Sequence, residues 1–479
     1  MIVKNNKDKI YVGLFLAVVC IVMLAFFIGE YPATLFNTDD WCFITDTRGA
    51  YPIWGALNPC RVLPEVLMPF ATWLAMHFVY PVLKDIVMSI TVMSGIFMSA
   101  AITFYAFTAY RAIKNIFKLE CAPSALLAAI FIIFHFLAFR KFNTGSAFAF
   151  EASSLTHIYF YALPNILNAA LVLLFMGGRP QKHKGILLVL VYIALLSNLF
   201  ASIALPAYIA SVMLLDFIKR RKEFKSFLKD NVENIAILMF WLLVQIFEIN
   251  GGRAASISVS EPILGLVISK AKSFFSMLYH DINHLFLFFS VICCIIAFVI
   301  MLRKKDKETS GLFIVDIIAL AVTFVYILLV AARSSGWITY FGVFYEIFLF
   351  AVILVIMALG YVMKNFHKLQ ILLPLMCLIF IVEGSTSGET YKAACQVSTE
   401  SARALDKYII ESVVEADKEG KDYLKLPVPY FGGYDNFPLA DYGGGSVAGF
   451  LNKYGFISKY IYVEFAPDES LNEEFNIEW

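Results

Sequence analysis

Two adjacent carboxylates, Asp39 and Asp40, follow the first long apolar run by about ten residues, within the stretch FNTDDWCFITDTRGAYPIWGALNPCR that ends at Arg61. Trp41 and Trp54 frame the pair, and Asp46, Arg48 and Arg61 add charge to the same segment. A carboxylate at a membrane surface can take the proton of an acceptor hydroxyl when burial and neighbours tune its pKa. The plainer reading is a loop of solvated acids, or one acid capping a helix. The adjoining Trp and the arginines of the same segment favour the chemical reading. Such a pair could also hold Mg²⁺ or Mn²⁺.

A second set of residues fits a phosphate. Arg61, Lys141, Arg253, Lys270 and Arg333 all fall on the side of the membrane that positive charge normally avoids. Guanidinium and ammonium groups there would stabilise a departing phosphate, so no metal is required. Snorkelling, or pairing with Glu151, Glu261 or Asp281, is the structural alternative. His157, at the mouth of a span, is more often a packed interfacial residue than a ligand. The sequence has no P-loop, no Rossmann glycine motif, no HExxH and no C-x-x-C. Nothing in it points to a soluble nucleotide site or to nucleic acid.

These residues must be held by helices in a bilayer. The chain has 479 residues, 60% of them hydrophobic and 16% charged, with 46 Phe and a mean hydropathy of +0.75. Many runs reach the ~17–25 apolar residues that cross a membrane. The charge divides unevenly: residues 383–479 carry 17 acidic and 8 basic side chains, leaving 20 and 30 for residues 1–382. The expectation is an all-α polytopic domain over 1–382, with an external loop at 29–85, followed by a small external α+β cap over 383–479.

Lysines and arginines flanking the apolar runs give a topology of eleven spans with the N-terminus inside. The expected spans are about 10–28, 86–110, 122–137, 157–176, two within 185–218, 232–248, 285–302, 312–332, 344–363 and 369–382. The first is read as an uncleaved helix, because its apolar core is long and no A-x-A site follows. Ser197-Asn198 splits the long run, and Lys219 to Lys225 is the strongest cytoplasmic marker. Residues 62–83 contain Pro64, Glu65, Pro69, His77 and Pro81. As a span they would put Arg111, Lys114 and Lys118 outside, so they are expected to lie in the interface. Residues 249–283 are read as a third external loop. In the tail, a helix is expected near 391–418, turns through KLPVPYFGGYDNFPLADYGGGS, and a strand at KYIYVEF. The cysteines lack metal spacing; Cys42 and Cys60 could form a disulfide in an oxidising compartment.

An acidic pair after the first helix, an external loop with interfacial helices and about eleven spans resemble the GT-C membrane glycosyltransferases. NTDDW followed by NPCR is similar to the first-loop motif of bacterial serotype-converting glucosyltransferases, departing from it at Cys60, where Gly is commoner. LTHIYFYALP, from Leu155 to Pro164, resembles the aromatic entry into a later helix of that group. The resemblance implies an inverting transfer of a sugar from a polyprenyl-phosphate donor to an extracytoplasmic glycan such as O-antigen or cell wall. It places the chain in a bacterial cytoplasmic membrane with Asp39 as the catalytic general base and Asp40 as its partner. Substrate and phosphate contacts would come from Arg61, Arg333, Glu151, His157, Arg253, Lys270, Trp41 and Trp54.

Two rivals remain. A flippase or transporter for lipid-linked glycans would place charges inside the spans, where Asp216, Asp316 and Glu346 are the candidates. A glycan polymerase would use a lipid-pyrophosphate donor and lean on the external arginines.

Overall fold

The computed structural model describes residues 6–35, 38–46, 58–139, 148–150, 154–219, 223–251, 262–333, 338–384, 398–430 and 443–476. Among the described residues nine helices are long and apolar enough to cross a membrane. They are α1 (Asp8–Glu30), α3 (Pro59–Leu83), α4 (Ile86–Phe117), α6 (Leu155–Met176), α8 (Ala201–Lys219), α10 (Val232–Ile249), α12 (His284–Lys304), α13 (Lys307–Arg333) and α14 (Phe341–Asn365). Further helices accompany them: α2 (Thr38–Thr45), α5 (Cys121–Leu137), α7 (Lys184–Leu195), α9 (Phe224–Asp230), α11 (Ile263–Asp281) and α15 (Leu369–Gly384). The chain is a multi-pass, helical membrane protein.

The core of the bundle is α6 and α14, which are buried on nearly every side. Both are mostly apolar on every side, as helices without a lipid or water face are, with Asn165, Asn168 and Glu346 as buried exceptions. α4 packs on α1, α5 and α6. It starts at Asp85, whose carboxylate accepts the Met88 backbone N–H at 2.8 Å, a capping contact of the ordinary kind. α1, α10, α12 and α13 keep apolar side chains such as Leu14, Leu242, Ile295 and Val325 exposed, the composition of a lipid-facing surface.

Pro164 lies inside α6 and cannot donate to the carbonyl of Phe160. The helix widens into a π turn at Ile158–Ala162, and Asn198 Nδ2 donates to the Phe160 carbonyl at 2.6 Å. Asn198 Oδ1 also accepts the backbone N–H groups of Phe200 and Ala201, at 2.7 and 3.1 Å. The Ser197-Asn198 break between α7 and α8 therefore supplies the group that repairs the proline in α6.

α3 is long and apolar enough to span, and both of its ends are anchored by neighbouring segments. Its first turn packs on Leu196 and Glu248, with Leu63 N–H donating to the Leu196 carbonyl at 3.0 Å. Near its other end, His77 and Tyr80 lie against Tyr454 and Phe456 of the tail, ring centroids 6.4 and 5.1 Å apart.

Two sequence expectations are corrected. Residues 249–283, expected as a third external loop, contain a 19-residue helix, α11, packed on α13. Its inner face is Val267, Lys270, Ala271, Phe274, Leu278 and Asp281, spaced three and four apart. That helical period runs through a segment whose lysines read as loop. The turn-rich stretch of the tail also holds regular structure.

The tail comprises α16 (Thr399–Lys418), β1 (Tyr423–Pro429), α17 (Gly443–Lys453), β2 (Tyr462–Asp468) and the short α18 (Ser470–Glu474). β1 and β2 pair in parallel, Tyr423 opposite Tyr462, so the connection crosses through α17. The glycines that suggested a turn begin α17 because it lies flush on β2. A Cβ at Gly444 would sit 2.1 Å from the Val463 carbonyl oxygen.

Candidate functional site

α2 carries Asp39, Asp40 and Trp41 and touches α3, the start of α6, and α17 of the tail. Asp40 is fully buried, while Asp39, one position earlier, is half-buried. Asp40 Oδ1 accepts both the backbone N–H and the hydroxyl of Thr156, each at 2.6 Å. Those donors belong to the first turn of α6, where the helix dipole also favours an anion. Ser154 Oγ caps the same turn by accepting His157 N–H at 3.3 Å. Asp40 is thus held as an ionised cap, and Asp39 is the member of the pair turned toward solvent.

Arg61 closes one side. Its Nε pairs with Glu65 Oε1 at 2.9 Å, and its guanidinium lies 5.1 Å from the ring centres of both Phe43 and Phe160. Phe43 belongs to α2, and Phe160 to the π turn of α6. Stacking plus an ion pair fixes a guanidinium far better than either alone. Beside it, Glu248 of α10 accepts the Cys60 backbone N–H at 3.2 Å, which anchors the start of α3.

His157 stands half-buried at the entry of α6, its ring 5.1 Å from Tyr340 and 6.0 Å from Tyr161. Gly342 lies under this aromatic group, where a Cβ would be 2.4 Å from Tyr340 and 2.8 Å from Tyr161. Trp41, expected at a substrate surface, is instead 1% exposed and packs edge-on against Phe450 of α17 at 5.6 Å. Lys270 sits on the inner face of α11, and Arg333 is exposed at the end of α13. Trp54, Glu151 and Arg253 lie outside the described residues, as do Arg48, Lys141 and Glu261.

Cys42 and Cys60 are free thiols. Cys42 Sγ is 3.0 Å from Ser446 Oγ, whereas Cys60 packs with Leu196 and Val244. Burial pushes the Cys42 thiol up; the Ser446 hydrogen bond opposes this, and the charges of Asp39, Asp46 and Asp40 add to it. Among the described residues no three His, Cys, Asp or Glu side chains gather as metal ligands.

The sequence reading missed Asp406. It lies on α16, 5% exposed, and its carboxyl takes the Trp41 side-chain hydrogen bond. Burial first, and then the charge of Asp40, raises its pKa well above the ordinary carboxylate range. A signal was present: the apolar face of α16, with Ala402, Leu405, Ile409 and Val413, includes this one acid.

Compared with models of protein families, with curated proteins and with solved structures, the chain matches none.

Proposed function

We propose that the chain transfers a sugar from a polyprenyl-phosphate donor to an extracytoplasmic glycan, with Asp39 as general base. The observation that carries this reading is the split environment of the acid pair. A half-exposed carboxylate stands next to a buried, fully engaged one, on a short helix between the bundle and the tail. In the proposed step Asp39 takes the proton of the acceptor hydroxyl as its oxygen bonds to the anomeric carbon. The bond from that carbon to the phosphate oxygen breaks, and the lipid phosphate leaves with the electron pair. Arg61, fixed by Glu65 and two rings, is suited to meet that charge. The protein would work in a bacterial cytoplasmic membrane with the site and tail on the outer side.

Loss of a general base costs about 10²–10⁴-fold in rate. Purified Asp39→Asn should therefore insert normally and transfer almost no radiolabelled sugar from a polyprenyl-phosphate donor. Near wild-type turnover would remove the assignment.

Movement of a lipid-linked glycan is the second reading, and Asp316 and Glu346 favour it. Both are fully buried in membrane helices, and their carboxyl oxygens have no hydrogen-bond partner among the described residues. Intramembrane acids of that kind mark transport paths in other proteins. If Asp316→Asn and Glu346→Gln abolish lipid-glycan translocation in vesicles while Asp39→Asn does not, this reading replaces the first.

A further inference from the structure

The tail grips α2 along its length. Gly443 abuts the Thr38 side chain, Ser446 meets Cys42, Phe450 packs on Trp41, and Lys453 Nζ donates to the Thr45 carbonyl. α16 reaches the same helix through Asp406, which holds the Trp41 side chain. Asp406 Oδ2 is buried and has no hydrogen-bond partner among the described residues, and the charge of Asp40 acts on it across the seam. Two buried carboxyls that act on each other do not both ionise. Asp40, which accepts two short hydrogen bonds from Thr156, is the one held as the anion.

We propose that Asp406 is a positioning residue for the acid pair: as the neutral acid of the tail it seats Trp41 and fixes the turn bearing Asp39 and Asp40, and on losing its proton it loosens the seam, because its buried charge then stands against Asp40 although the Trp41 bond itself would favour the anion. Its bearing on a reaction rests on the sugar-transfer reading; the seat itself does not. The groups acting on Asp406 are Asp40 and Trp41 from α2 and Arg403 from its own helix. Arg403 in turn feels Asp85, the cap of α4, then Asp406 and Glu400. Because the docked acid binds its proton more tightly than a free aspartate, docking is strongest at low pH. It weakens as pH rises above the ordinary aspartate value.

The test follows Cys42, which lies in the seam. Maleimide labelling of the full chain in lipid nanodiscs is quantified by peptide mass spectrometry. The rate is divided by that of the detergent-unfolded chain at the same pH, and the comparison stays well below thiol titration, where folded and unfolded thiolate fractions rise in parallel. Wild-type protection should fall severalfold between roughly pH 5 and roughly pH 7, on the alkaline side of an ordinary aspartate and below thiol titration. Asp406→Asn, whose amide oxygen still accepts from Trp41 and which has no proton to lose, should stay protected throughout. Asp406→Ala should be poorly protected throughout. A flat wild-type curve, or Asp406→Asn tracking Asp406→Ala, overturns the proposal. Should a variant not be recovered folded, the slope of the wild-type curve decides. No turnover is needed, so failure of the sugar-transfer reading leaves this result standing.

Discussion

Asp40 takes two donors from one residue, and that residue stands in the first turn of α6. Removing the carboxylate orphans both Thr156 groups, a loss of about 1–3 kcal/mol for a buried donor. Asp40→Ala should lower the thermal midpoint measured by a fluorescence melt, whereas Asp39→Asn should not. Equal melts for the two would contradict the division of roles. Arg61→Lys should weaken donor binding, because it loses both ring stacking and the planar fork. An unchanged donor Kd for that variant would exclude a phosphate role. The residue types of Asp39, Asp40 and Arg61 and their nearness to a helix end were legible in the sequence. The engagement of Asp40 with Thr156 was not, because 116 residues separate them. Neither was the fate of Trp41, since an aromatic beside acids reads alike whether it faces substrate or a domain seam.

At the scale of elements, α6 depends on a side chain from the α7–α8 break. Asn198→Leu orphans the Phe160 carbonyl together with the Phe200 and Ala201 N–H groups, at about 1–3 kcal/mol for each group left buried. Adding Pro164→Ala restores an N–H to that carbonyl, so the double variant should melt above Asn198→Leu alone. If the second change brings no recovery, the proline repair is not what Asn198 does. The corner after α11 offers a pH test. Burial raises the Asp281 carboxyl to about 6, against the pull of His280. Its stabilising contribution is therefore complete below the ordinary aspartate value and is lost as pH rises through about 6. Hydrogen exchange in the segment around Asp281, corrected for its intrinsic pH dependence, should speed up over that window in the wild type. Asp281→Asn should show no such change. Most helices were legible here, because spans of this length have long apolar runs and basic flanks. α11 and α17 were hidden by lysines in one case and glycines in the other. Both residue types usually mark loops, and both are placed here by packing.

For the whole molecule, the alternation of basic flanks predicts a tail on the side opposite Lys182 and Lys219. Single cysteines at Asp422 and Lys182, in a background without the native ones, should label from opposite faces of sealed vesicles. Labelling from the same face would reverse the reading of the site as external. The bundle was legible as a set of spans, while its union with the tail was not, since composition cannot report contacts between distant segments.

That union also fixes an order of events during synthesis. α2 leaves the ribosome early, but the Ser446 that meets its Cys42 comes 404 residues later. Domains generally fold as the chain emerges, N-terminal parts first. The acid-bearing helix must therefore wait, without its covering partner, until the segment 404 residues further along has been made. Completion of the tail then acts as a checkpoint: a prematurely stopped chain can insert its helices and still lack a seated Asp39.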